Sequence, residues 1–378
     1  MKKKKIGIVI GKMVGGGLES VILDVLENRE IQNTFDVDLI IDNDSTLVPI
    51  SEIEQIGNVR IVFLPPYQKM FSYVHELNNL MKKNHYDIIH AHMSAINFLP
   101  MFVAKRRGVK IRISQSHNLV SKGDGFLKNI LKKFLAGFAT AFPNEFAAAT
   151  PETGEWIFGS KPVKILENGI NLDKYLFSQD NRMQIRSQLN IGKSDVLIGN
   201  FSRFVGYKNH KFILEILTEL KRLGKPMKFL LVGDGPGKEY FKSQLMKLNL
   251  TDNVIILQAV TDIQRYYSAL DLYVFPSTAE AFGLVSVEAQ VNGLRVLSSE
   301  GVSRSTDIGE NRLIRVPLND LSKWVKIIGN TVNRDKITNA DGQYMSENVK
   351  KFSKYNMGLR YFNYYEELLE KYSEENDE

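Results

Sequence analysis

Short apolar runs alternate along this chain with longer stretches in which apolar residues recur every three or four positions. The first pattern suits buried parallel strands and the second amphipathic helices, so their alternation predicts a parallel α/β architecture. Runs at Lys5–Ile10, Val37–Ile41, Val59–Leu64, Tyr86–His90 and Val109–Ser114 predict one series of five strands. Val196–Phe201, Met227–Val232, Asn253–Leu257, Leu272–Phe275 and Arg295–Leu297 predict a second series. Two such series predict two doubly wound, Rossmann-like sheets rather than one. The expected division is residues 1–165 and 166–354, with a linker around Ser160–Gly169. Tyr355–Tyr372 predicts an aromatic-rich helix that frays toward Glu378. In open α/β sheets, ligands bind beyond the carboxyl ends of the strands, so the cleft between two facing domains is the expected active site.

Composition narrows the class. A chain of 378 residues can bury two cores, and 43% apolar with 24% charged residues is ordinary for a soluble globular protein. The absence of cysteine excludes disulfides and thiolate metal sites and suits a reducing compartment. After Met1 and four lysines, the apolar run Ile6–Ile10 is too short for a signal-peptide core, and no run approaches the roughly twenty residues of a membrane span. A cytoplasmic location is expected. The net charge of +6 is uneven: between Met101 and Leu135 lie Lys105, Arg106, Arg107, Lys110, Arg112, Lys122, Lys128, Lys132 and Lys133, opposed only by Asp124. Phe126–Leu135 interleaves lysines with apolar residues at helical spacing. Segment 101–135 therefore reads either as a contact with an anionic membrane surface, making the protein peripheral there, or as a core-facing helix with a basic solvated face. No nucleic-acid motif accompanies it, and no nucleic-acid partner is expected.

The candidate chemistry follows strands. Phe275-Pro276-Ser277 leads through a small-residue turn to Glu280-Ala281-Phe282-Gly283-Leu284, then to Glu288 in a predicted helix. A helix N-terminus offers unpaired N–H groups and partial positive charge to phosphate, and a carboxylate on each flank can accept from sugar hydroxyls. That is the layout of a nucleotide sugar. Arg203 and Lys208, after the Val196–Phe201 strand, are placed to meet phosphate oxygens, although alone they read equally as surface cations. After the first strand, Gly15-Gly16-Gly17 allows close backbone approach to a ligand, or a plain tight turn. It is no dinucleotide fingerprint, since Ser20 stands at the last glycine position. Gly233-Asp234-Gly235-Pro236-Gly237-Lys238 is no P-loop, because Val232 and Glu239 hold the deciding positions, and Gly192-Lys193-Ser194 fails at Ser187. Asp36/Asp38 alternate along a strand and read as structural, whereas Asp42/Asp44 end a strand and could hold a divalent metal. His117, after Val109–Ser114, points toward the expected cleft or packs as an ordinary histidine.

Together these residues resemble the retaining glycosyltransferases of the GT-B fold, family four, most closely the bacterial exopolysaccharide and capsule subgroup. The resemblance spans most of the chain: Gly15–Glu19, Ser116-His117-Asn118, Glu167–Asn171, Arg203 with Lys208, Val232–Pro236, and Glu280 with Glu288. It implies two Rossmann-like domains facing across a cleft, the first on the acceptor side and the second binding the nucleotide sugar, with residues 355–378 crossing back to the first. It implies that Glu288 grips the ribose and Glu280 the transferred sugar. Phe282, Gly283 and Leu284 N–H groups, with Arg203 and Lys208, would stabilise the leaving diphosphate, near Gly233. His117 would contact the donor sugar, and Gly15, Gly16 and Gly17 would approach the diphosphate. The implied catalytic set is Glu280, His117, Arg203 and Lys208, with no metal and no cofactor beyond the nucleotide-diphosphate sugar, a UDP-sugar foremost, and a glycan or lipid-linked acceptor. Two departures stand out: Arg295 where the family often has proline, and Ala259 where glycine is frequent. A nucleotide-sugar epimerase or hydrolase on the same scaffold, or a metal-dependent transferase using Asp42 and Asp44, remain alternatives.

Overall fold

The computed structural model describes residues 3–117, 137–225, 227–309, 311–331 and 347–374. The chain forms two compact units: the main run of the first ends at Ile170 and the chain rejoins it at Phe352, while the second holds Asn171–Lys351.

The first unit is built on seven strands, β1 (Lys4–Gly11), β2 (Phe35–Asp42), β3 (Val59–Leu64), β4 (Ile88–Ala91), β5 (Ile111–Ser116), β6 (Glu145–Ala148) and β7 (Lys164–Ile165). Their order is β3-β2-β1-β4-β5-β6-β7, and every neighbouring pair is parallel. Ile6, Ile8 and Val9 are all but fully buried, as strands covered on both faces must be. The second unit has β8 (Leu197–Phe201), β9 (Lys228–Val232), β10 (Val254–Leu257), β11 (Leu272–Phe275), β12 (Val296–Ser298) and β13 (Leu313–Arg315), in the order β10-β9-β8-β11-β12-β13. The strands β6, β7 and β13, absent from the sequence-predicted series, are edge-side additions of four, two and three residues. Such short pieces leave no periodic signature. In each unit the strand order reverses beside the first strand, between β1 and β4 and between β8 and β11, the switch points where such sheets bind ligands.

The helix Lys354–Glu374 belongs to the first unit and buries Met357, Tyr361, Tyr364, Tyr365 and Leu368, a single stripe at helical spacing. The Tyr361 hydroxyl pairs with the Gln115 amide at 2.9 Å, and the Tyr365 hydroxyl meets His90 Nδ1 at 2.9 Å. Gly358 lies against Asn28 with no space for a β-carbon. Lys354 reaches Glu27 at 2.6 Å. The stripe thus docks by buried aromatic area while each buried phenol of Tyr361 and Tyr365 keeps a polar partner.

Two carboxylates of β2 have opposite fates. Burial pushes the Asp38 carboxyl up, but bonds from Arg60 at 2.6 Å and Tyr86 at 2.5 Å, with Lys5 at 3.2 Å, outweigh it and hold it low. Asp38 is therefore structural, as its alternation along the strand implies. At the strand end, Asp42 is 1% exposed, and among the described residues neither carboxyl oxygen completes a hydrogen bond of good geometry. Burial, then the neighbouring Asp44, push it up to about 6 against the pull of the Tyr67 amide and Lys12. Asp44 itself is engaged by Lys12 at 2.7 Å.

In the second unit, Asp271 is the buried knot. It accepts from Arg182 at 2.8 Å, from Arg186 at 3.3 Å and from the Leu197 N–H at 2.8 Å, tying the helix Gln179–Gln188 to the starts of β8 and β11.

Asp271→Ala leaves two buried guanidiniums without their carboxylate, and a loss of about 3–5 kcal/mol is expected in urea unfolding followed by tryptophan fluorescence. Asp42→Asn probes the raised carboxyl. A carboxyl moved from 3.8 to about 6 is disfavoured in its ionised form by roughly 2–3 kcal/mol. That cost is absent below pH 4, grows between pH 4 and 6 and is complete above. Relative to the wild type, Asp42→Asn should gain that amount between pH 4 and pH 7.5; a constant difference across that range would refute it.

Candidate active site

The turn after β11 is held from two sides. Thr278 N–H donates to the Tyr207 carbonyl at 2.8 Å, and Asn209 Nδ2 to the Pro276 carbonyl at 3.1 Å, so the segments following β8 and β11 are stitched together. From the other side Glu280 N–H donates to the Gly301 carbonyl at 2.8 Å, and Ser299 Oγ donates to the Ser277 carbonyl. Gly301 lies so close to the Ser277 and Thr278 carbonyls that a β-carbon there has no room. The clamp aims Glu280 at Lys208. Lys208 Nζ lies 2.6 Å from Glu280 Oε1, with side chains 14% and 9% exposed. The ammonium also faces the rings of Tyr207 at 5.3 Å and Phe275 at 5.4 Å.

Phe282 is buried, and Gly283 at φ +93° sets the left-handed step into the helix Leu284–Val291. Gly283, at the N-cap position, has no side chain with which to cap that helix start. Glu288, in the same helix, accepts from the Tyr267 hydroxyl at 2.6 Å. Burial pushes its carboxyl up, opposed by the phenols of Tyr267 and Tyr175. The two glutamates of the pair thus have unlike partners, one a cation and the other neutral hydroxyls.

Arg203 is exposed, and no described residue pairs with it. Gly233 follows β9 with its N–H on the Leu257 carbonyl at 3.1 Å, packed on the Ser202 carbonyl where any side chain would collide. Arg203, Lys208, Gly233 and Glu280 therefore all occupy strand ends beside the switch point of the second unit.

At the switch point of the first unit, the glycine loop is not empty-handed. Val14, Gly15 and Gly16 donate their N–H groups to the Glu19 carboxylate at 2.8, 2.5 and 2.8 Å. Gly15 has φ +82°, and Gly17 begins the helix Gly17–Leu26. N–H groups that the glycine pattern would offer to a phosphate are thus turned inward by a carboxylate one helical turn on.

His117, at the end of β5, meets His92 instead of standing alone: His92 Nδ1 and His117 Nε2 are 2.9 Å apart. His90, within β4, and His92, just after it, have ring centroids 4.1 Å apart. Burial holds His117 and His90 down at about 3, the latter helped by His117, and His92 well below its ordinary value, so all three are neutral at pH 7. Ser94, in a left-handed conformation at φ 53°, accepts the His117 N–H at 3.2 Å. Asn97 binds Met93 N–H at 2.7 Å and Ser114 Oγ at 2.9 Å, joining the ends of β4 and β5. Sequence reading missed His92, Ser94, Asn97 and Tyr267, and placed Glu19 in the matched loop without a role of its own. Only the His90-Ala91-His92 repeat at a strand end carried a local signal.

Of the basic run, Arg112 spends its guanidinium on the Phe142 and Val109 carbonyls, Arg106 lies over the Phe102 ring at 5.6 Å, and Arg107 binds Asn78 at 2.8 Å. Residues 126–135, the expected amphipathic helix, lie outside the described residues. No helix among the described residues is long and apolar enough to cross a membrane.

Known proteins resemble this chain in sequence and fold. The profile of Glycosyltransferase Family 4 matches residues 15–174, and that of Glycosyl transferases group 1 matches residues 181–312. A putative glycosyltransferase, EpsF of Bacillus subtilis, is 25% identical over 340 residues, 86% of this chain and 87% of the relative. The UDP-Gal:alpha-D-GlcNAc-diphosphoundecaprenol alpha-1,3-galactosyltransferase of Escherichia coli is 23% identical, covering 84% of each chain. Among solved structures, HepE of Anabaena in complex with UDP superposes with a TM-score of 0.75 at 18% identity, over 96% of this chain and 100% of that one, which shows a common fold. With two parallel sheets, a returning C-terminal helix and a matching profile on each half, the chain belongs to the GT-B glycosyltransferases of family four.

Proposed function

We propose that the protein is a retaining, metal-independent hexosyltransferase. It moves a hexose from a nucleotide-diphosphate sugar, with UDP-sugar the first choice, onto a growing lipid-linked glycan in extracellular or capsular polysaccharide synthesis. The observation that carries this reading is the clamped turn of the second unit. It holds Glu280 against Lys208 on one side of a glycine-led helix start and Glu288 on the other.

Each group then has a task its surroundings suit. The N–H groups at Phe282, Gly283 and Leu284, with Arg203 and Lys208, take the diphosphate. Glu288 accepts from ribose hydroxyls, displacing or sharing its phenol partners. Glu280 accepts from hydroxyls of the transferred sugar, and His117 binds a hydroxyl of the same sugar. In the reaction the bond from the anomeric carbon to the diphosphate oxygen breaks as the acceptor hydroxyl bonds to that carbon from the same face. The hydroxyl proton passes to a diphosphate oxygen. Negative charge grows on the leaving group, and fixed cations with a helix terminus stabilise it without reorganisation. No protein nucleophile is required.

Support for the donor and acceptor classes comes from relatives: the HepE structure holds UDP, and the E. coli galactosyltransferase is named for UDP-Gal and a diphosphoundecaprenol acceptor. A lipid-linked acceptor suits a cytoplasmic protein working at the membrane surface, with basic segment 101–135 as its contact.

Purified protein given UDP-sugars and a lipid-linked acceptor should form product with the anomeric configuration retained, at an unchanged rate with chelator present. Donor alone should show only slow hydrolysis; conversion of the donor sugar would mean an epimerase, and loss of turnover with chelator would favour the Asp42/Asp44 metal reading. Glu288→Ala should weaken donor binding by roughly 10–100-fold in calorimetry. Glu280→Ala should lower kcat by about 100-fold with donor affinity nearly kept. Normal rates and affinities in both variants would refute the assignment. Neutralising Lys128, Lys132 and Lys133 together should abolish binding to anionic vesicles while leaving turnover of a soluble acceptor intact, and vesicle binding that persists would remove the membrane role.

A further inference from the structure

The contact between His92 and His117 has a chemical consequence for the sugar-binding role of His117, on which this inference rests. Both rings are neutral, so only one proton occupies the 2.9 Å line from His92 Nδ1 to His117 Nε2. Two arrangements are open. In one, His117 donates from Nε2, and His92 must then carry its own proton on Nε2. That atom is buried with no hydrogen-bond partner among the described residues. A buried N–H without an acceptor is among the rarest and costliest defects in a folded protein, worse than a bare lone pair. In the other, His92 donates from Nδ1 and leaves Nε2 as that lone pair. His117 then accepts at Nε2 and carries its proton on Nδ1.

The surroundings hold this second state in place. His92 is 2% exposed, its N–H is anchored on the Val9 carbonyl at 2.8 Å, and the His90 ring packs against it. His90 is held in turn by Tyr365 of the C-terminal helix. His117 is fixed at its backbone by Ser94. Its Nδ1 has no partner among the described residues.

We propose that His92 is a positioning residue that fixes His117 as the Nδ1–H tautomer, so that His117 presents a hydrogen-bond donor to an oxygen of the transferred sugar. His92 touches no substrate and takes no proton in the reaction. Its effect is to decide which histidine nitrogen offers hydrogen and which offers a lone pair, and hence that the ligand atom met by His117 is an acceptor.

The test uses the full chain labelled with 15N-histidine, with the His117 signals assigned by their loss in His117→Gln. In the wild type the ring nitrogens of His117 should show a protonated Nδ1 and a bare Nε2. His92→Leu removes the donor, and the His117 signals should shift toward the Nε2–H form. Over the same change kcat/KM for the sugar nucleotide should fall about tenfold, the worth of one neutral hydrogen bond. In His92→Asn a side-chain N–H can stand near the former Nδ1 position; the Nδ1–H tautomer should return, with kcat/KM within about threefold of wild type. This conservative rescue separates tautomer control from simple loss of packing, which Asn would not repair. A wild-type His117 protonated on Nε2 would overturn the proposal. So would an unchanged tautomer in His92→Leu, or equal losses of rate in the Leu and Asn variants with equal thermal stability. The spectra decide the tautomer even if no sugar nucleotide is turned over, a result that would instead defeat the functional reading.

Discussion

The contact between Lys208 and Glu280 is the constraint on which the second unit's site depends. An ion pair taken this far out of water loses most of its hydration, and attraction between the partners repays that only when the geometry is close and fixed. At 2.6 Å, with both side chains largely covered, the pair meets that condition because its two carriers cannot drift. Tyr207, Asn209, Thr278 and Pro276 lock the segments after β8 and β11 together, and the chain around Ser299–Gly301 backs the turn. A pair this well held is also a store of unmet demand. A diphosphate beside Lys208 can draw on the same ammonium, and sugar hydroxyls can donate to the same carboxylate. Ligand groups then replace a contact within the protein instead of groups paired only with water.

The first unit solves a different problem with neutral groups. Its strand ends gather three histidines, and burial removes their charges, so what they offer is the direction of hydrogen bonds rather than electrostatic pull. Direction requires rigidity. The aromatic stripe of the helix Lys354–Glu374 supplies it from below through Tyr361 and Tyr365, and Asn97 and Ser94 supply it at the strand ends. The left-handed Ser94 fits this picture: a strained residue persists where neighbours over-determine it, and here they set the position of His117.

Much of this was legible in the sequence, and the boundary has a physical cause. Central strands such as β1 and β8 are continuous apolar runs, so their existence and parallel pairing follow from the pattern. Strands β6, β7 and β13 do not stand out as apolar runs, since Lys164 and Arg315 interrupt β7 and β13 and β6 is half alanine, and they pair because a neighbour offers backbone partners. The carboxylates Glu280 and Glu288 announced themselves through spacing around a helix start. The partner of Glu280 did not, because Lys208 lies 72 residues away and only the parallel neighbours β8 and β11 bring it near. The inward turn of the glycine loop depends on the rotamer of Glu19, which composition cannot disclose. His92 was hidden for another reason: read alone it is one more buried residue, and its meaning arises from the ring it faces.

The unequal surroundings of the two glutamates go further than their spacing. Glu288 is met by phenols, which leave it without a cation, and burial makes its ionised form demanding of further donors. A carboxylate so placed gains most from a pair of vicinal hydroxyls, as a ribose presents, and gains it equally before and during reaction. Glu280 is already charge-balanced by Lys208, and in the proposed reaction a leaving diphosphate that draws on Lys208 would leave the carboxylate less compensated just as the sugar ring turns positive. On the proposed roles, the same residue type would yield uniform binding at one position and stabilisation that strengthens toward the transition state at the other, and only the latter accelerates the chemical step.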